Sequence, residues 1–136
     1  MVVDTNVLVA ALDREDPRHA AAIGVLDAHA NDAPILPAPI LGEVDYWLRK
    51  RGLSGAWLAF CEDIAANVYV LHDLHPSALV EAARLEAKYA DLRIGFVDAA
   101  VFLTCVELRD ETVATFDRRH FSVLRAEDGR ALRIVP

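Results

Sequence analysis

Short runs of β-branched residues alternate along the chain with longer stretches in which apolar residues recur every three or four positions, the pattern of strands separated by helices. Val2 and Val3 open it as a strand apolar on both faces, and the chain turns through Asp4, Thr5 and Asn6 into an apolar run, with Asp4 or Thr5 placed to cap a helix. Asp16-Pro17 predicts the N-cap and first residue of a second helix, carried by Ala20, Ile23, Val25, Leu26 and Ala28 and stopped at Asn31-Asp32. Between Pro34 and Pro39, Ile35-Leu36 reads as a brief strand, followed by a helix from Pro39 to near Arg51 with Gly52 as its stop. Ile40, Leu41, Val44, Trp47 and Leu48 form one stripe of that helix, and Glu43 lies on the stripe's edge.

Leu53 to Ala66 continues as a partner helix, amphipathic through Trp57, Leu58, Cys61 and Ile64. Trp47 and Trp57 therefore read as core or interface residues and not as platforms for nucleobases. Val68 to Leu71 is a strand, His72 and His75 belong to an exposed loop, and Pro76 opens a long helix ending near Ala90. Gly95 admits a tight entry into a helix bearing Asp98, Val101, Phe102 and Cys105. Thr112 to Phe116 and Leu132 to Val135 supply the last strands. The expected architecture is α/β: one domain over residues 1–136, a short parallel sheet of about five strands, and helices on both faces.

Composition narrows the partners. With 54% hydrophobic residues the chain can bury a substantial core. No uncharged apolar run approaches the roughly 20 residues that span a bilayer, and no basic leader precedes Asp4, so a cytoplasmic location with no membrane partner is expected. Cys61 and Cys105 each fall in an apolar helical pattern, share no metal-type spacing and read as buried free thiols. A net charge of −7 argues against broad adhesion to nucleic acid, but a metal held by clustered acids would reverse the field locally.

Asp4, Glu43, Asp98 and Asp117 come from separate segments, each at the start, exit or inward edge of an element. Asp4 and Asp117 leave strands in the same manner, so in a parallel sheet they share the crevice outside the strands' carboxyl ends. Asp98 stands in a helix's first turn, where it also suits the helix dipole. Four hard oxygen donors suit Mg²⁺ or Mn²⁺, which orients a phosphodiester and activates water. With no internal cation in view, like-charge crowding is expected to make Asp98→Asn more stable than the parent when metal is absent. Arg118 and Arg119 directly follow Asp117 and are the densest basic pair near the crevice, hence candidate phosphate contacts.

Val-Val-Asp-Thr-Asn-Val-Leu-Val-Ala, a Glu after a Pro-rich turn, Phe-Val-Asp-Ala, and Ala-Thr-Phe-Asp-Arg-Arg-His-Phe together resemble PIN domains, and more narrowly VapC-type toxins, the ribonucleases of toxin–antitoxin pairs. The resemblance runs from Met1 to Pro136, with all four acids in order. It implies a Mg²⁺- or Mn²⁺-dependent endoribonuclease with Asp4, Glu43, Asp98 and Asp117 at the metal site and Asn6 and Thr115 as hydrogen-bonding supports. Asp91 is a further acid at the rim. It also implies a homodimer and a small VapB-type antitoxin whose peptide tail lies across the cleft.

Two rivals remain open. A haloacid dehalogenase-like phosphotransfer domain needs a second acid where this chain has Asn6. A response regulator would use Asp73 and needs a lysine near the last strands, which is missing. A non-catalytic PIN-like module that only binds RNA is separated by turnover.

Overall fold

The computed structural model describes residues 1–136. Its elements, in order, are β1 (Val2–Val3), α1 (Thr5–Leu12), α2 (His19–Asp27), β2 (Ile35–Pro37), α3 (Ile40–Lys50), α4 (Ser54–Ala65), β3 (Val70–His72), α5 (Pro76–Lys88), a 3-10 turn (Ala90–Leu92), α6 (Phe96–Leu108), β4 (Thr112–Ala114), α7 (Arg118–Phe121) and β5 (Arg133–Val135). All five strands pair in parallel in the order β3-β2-β1-β4-β5.

That order positions the site. The chain steps outward from β1 through β2 to β3, then crosses back to β4 and β5 on the other side of β1. Right-handed crossovers therefore send α1 to α4 to one face of the sheet and α5 to α7 to the other. The switch falls between β1 and β4, where the connections leave in opposite directions and open a crevice at the carboxyl ends. Val3 pairs with Ala114, which sets Asp4 beside Thr115 at that opening; Asp4 N–H donates to Ala114 O at 3.0 Å.

The central strands are fully buried at Val2, Val3, Val113 and Ala114, and α1 is buried on nearly every side through Val7, Leu8, Val9 and Ala10. So apolar a helix is stable only when other elements enclose it, as α2 and α3 do here.

Several boundaries differ from the sequence pattern. Asp16 does not cap a helix starting at Pro17; α2 begins at His19, because the Asp16 carboxylate is turned inward to two guanidinium groups. In α4 the buried side chain is Phe60, whereas Leu58 is 62% exposed. His72 closes β3, half-buried and 3.3 Å from Glu107, whereas His75 stays exposed in the loop as expected and caps α5 by accepting from Ser77 N–H at 3.3 Å. Cys105 is buried as expected, and burial pushes its thiol well above the usual range. Cys61 is only half-buried. No helix is long and apolar enough to cross a membrane.

Candidate metal centre

Asp4 is the residue around which the crevice closes. It is the N-cap of α1, accepting from Thr5 N–H at 2.7 Å through Oδ1. Its Oδ2 accepts from Asn6 Nδ2 and from Thr115 Oγ1, each at 2.7 Å. The cap role and the site role are thus served by different oxygens of one carboxylate. Asn6 Nδ2 also donates to Thr115 Oγ1 at 3.0 Å, and Asn6 Oδ1 accepts from Phe116 N–H at 2.9 Å. Thr115 Oγ1 further accepts from Asp117 N–H at 2.9 Å. The two residues proposed as supports therefore stitch the end of β1 to the end of β4.

Glu43 enters from the first turn of α3, where its Oε2 accepts from Thr5 Oγ1 at 2.8 Å. Asp98 sits in the first turn of α6 and accepts from Gly95 N–H at 3.0 Å through Oδ2. Its helix-capping role is real, and it leaves Oδ1 without a hydrogen bond. Asp4, Glu43 and Asp98 line one crevice of about 300 Å³. Asp117 caps α7 and lines an adjoining groove with Asn6, Arg18, Phe116, Arg118 and Arg119. Asp91 is exposed in the 3-10 turn and borders neither.

The sequence reading missed His120, which joins the two halves of the constellation. Its Nδ1 lies 3.2 Å from Asp98 Oδ2 and 3.1 Å from Asp117 Oδ2, yet this buried atom is aligned for a hydrogen bond with neither. One ligand atom from each of Asp98, Asp117 and His120 falls within 4.8 Å of the others. The only sequence signal was the i,i+3 spacing from Asp117. His120 also corrects the expectation of a crevice with no internal counter-group, since an imidazole nitrogen lies beside the Asp98 and Asp117 carboxylates.

Asp4 carries the electrostatic cost. Burial pushes its carboxyl up to about 7, and Asp98 and Glu43 add to the rise, while the bonds from Thr115 and Thr5 oppose it. Arg18 and Arg51 also line the crevice, but their ion pairs are made to Asp16 and Asp13. Neither touches Asp4, Glu43 or Asp98. Arg18, and after it Arg51, hold the Asp16 carboxyl far below the ordinary range. A buried carboxylate without a cation and an imidazole nitrogen without a partner, facing one another's neighbours, are what a divalent-ion site shows before the ion's own charge is counted. The residues fit such an ion.

Trp47 departs from its expected place. It is 39% exposed and lines the crevice, with Lys50 Nζ 4.7 Å from its ring centroid.

A short parallel sheet with an acidic crevice at its switch point defines a PIN-type nuclease architecture. The chain belongs to the PIN domain family, whose model matches residues 1–126. It is 35% identical to Ribonuclease VapC26 of Mycobacterium tuberculosis over 136 residues, covering 100% of both chains. Its fold is similar to that of the crystal structure of M. tuberculosis VapC20, described as a sarcin–ricin loop cleaving toxin, with a TM-score of 0.78 at 21% identity over 88% of this chain and 91% of that one.

Proposed function

We propose that the protein is a VapC-type endoribonuclease that hydrolyses RNA phosphodiester bonds at a Mg²⁺ or Mn²⁺ site held by Asp4, Asp98, Asp117 and Glu43. The observation that carries this reading is the crevice lined by Asp4, Glu43 and Asp98, with Asp4 buried and without a cation and with Asp117 close to Asp98 beside His120. Full-length similarity to a ribonuclease supports it. When bound, the ion lowers the pKa of a coordinated water and offsets charge on the leaving oxygen.

The chain's own residues do the rest. Thr115 and Asn6 fix the Asp4 carboxylate in one orientation by donating to Oδ2, leaving its remaining lone pairs to the crevice. Thr5 orients Glu43 in the same way. Arg118 and Arg119 hold the RNA backbone beyond Asp117. A homodimer and a VapB-type antitoxin complete the proposal. Val70 and Leu71 on edge strand β3 and Leu79 and Val80 on α5 are exposed apolar surface that a second copy would cover.

The test is cleavage of structured RNA in excess over enzyme. Multiple turnover in Mg²⁺ or Mn²⁺ that stops in chelator is expected. Cutting that continues in chelator would sink the metal mechanism, and stoichiometric binding without turnover would favour an RNA-binding module.

A further inference from the structure

Arg18 lies outside every motif that marks the acids, yet it borders both the crevice and the groove along Asp117. Its guanidinium is fixed from two sides. Nε and Nη2 donate to Asp16 at 3.2 and 3.3 Å. Cζ stands 4.9 Å from the ring centroid of Phe116, whose backbone N–H is bonded to Asn6. The side chain stays 44% exposed, and its Nη1 makes no hydrogen bond.

A guanidinium beside several carboxylates ordinarily collapses onto one of them, because the bidentate pair is strong. Here the partner is Asp16, and none of Asp4, Glu43 and Asp98 is bonded to Arg18. The Asp16 side chain is 2% exposed and is also held by Arg51 Nη1 at 2.9 Å and by Arg18 N–H at 2.8 Å. Arg51 and that N–H give Asp16 partners of its own, so its carboxylate stays in place beside the Arg18 guanidinium. The result is a cation parked between the acids and Arg118 and Arg119, with free donors and little rotamer freedom left to lose.

We infer that Arg18 binds the RNA phosphate next to the one at the acids, and so sets the line along which the single strand passes from the crevice toward Arg118 and Arg119. Asp16 acts through Arg18 as a positioning residue. The inference rests on the ribonuclease reading above.

The test uses a fluorescein-labelled single-stranded RNA of mixed sequence, with KM and kcat measured in Mn²⁺ at several salt concentrations and each variant's circular dichroism matched to the parent. Arg18→Ala raises KM about tenfold, as loss of one charged hydrogen-bonded contact predicts. It leaves kcat within about twofold and lowers the salt slope of kcat/KM by ~0.7. Arg18→Gln, which removes the charge but keeps a donor for Asp16, gives the same slope change and guards against a folding defect. Asp16→Asn raises KM with the slope intact, since the charge stays but is no longer held. Parent-like KM and slope in Arg18→Gln would overturn the inference and leave Arg18 as a tie for Asp16. If the parent does not cut this RNA in Mn²⁺, the ribonuclease reading falls and takes the inference with it; a parent that cuts beside an unchanged Arg18→Gln overturns the inference alone.

Discussion

Asp4→Asn lowers metal-dependent RNA cleavage by roughly a thousandfold, the scale of losing one preorganised electrostatic contact to the transition state. The loss has two sources. The amide removes a negative charge from a buried position of the crevice, and its N–H₂ must face either the Asn6 and Thr115 donors at Oδ2 or the Thr5 N–H at Oδ1. Initial rates in saturating Mn²⁺ check it. A variant within tenfold of the parent would mean that Asp4 serves only as the cap of α1.

The second large effect is on stability, and its sign follows from the Asp4 carboxyl. Burial raises it from 3.8 to about 7 in the folded chain. Below the lower value both folded and unfolded states hold the proton, and the group contributes nothing that changes with pH. Between the two values the unfolded state ionises while the folded state keeps its proton, so stability falls as pH rises and the loss is complete above about 7. Three pKa units correspond to about 4 kcal/mol, or on the order of ten degrees in melting temperature for a chain of this size. The metal-free parent therefore melts progressively lower as pH rises across that window, and Asp4→Asn removes that part of the slope. Added Mn²⁺ opposes the trend, because it binds the ionised site and its stabilisation grows with pH. At 100 times its dissociation constant it contributes ~2.7 kcal/mol. Melting scans with chelator and with Mn²⁺ decide the matter: equal slopes in parent and Asp4→Asn would contradict the burial of an uncompensated carboxylate there.

Asp4 and Asp117 were legible in the sequence because each follows a short β-branched run, and an acid at the end of such a strand has few places to go in a parallel sheet. Asp98 was legible for a similar reason, as the one acid opening an apolar helix. Periodicity was less informative about edges. Trp47 shares helical spacing with Val44 and Leu48, which are fully buried, but it sits where α3 borders the crevice and stays partly exposed. The spacing of a stripe fixes a face of the helix and says nothing of where that face runs out of neighbours. The Arg18–Asp16–Arg51 ties were hidden for a different reason. Arg51 reaches Asp16 from the far end of α3, a contact set by how α3 folds back on α1 and not by any local pattern. The local signal at Asp16-Pro17 pointed to a helix cap, and long-range ion pairing overrode it. His120 was within reach of sequence reasoning, three residues after Asp117, but that spacing alone is common in short helices.

The most direct test of the central claim is the anomalous scattering of Mn²⁺ in a crystal of the protein. A peak is expected at the β1–β4 switch point, beside the carboxylates of Asp4 and Asp98, with Glu43 or Asp117 completing or extending the set. A peak confined to the outer acids Asp13, Glu15 and Asp16, or none in the crevice at saturating Mn²⁺, would contradict it.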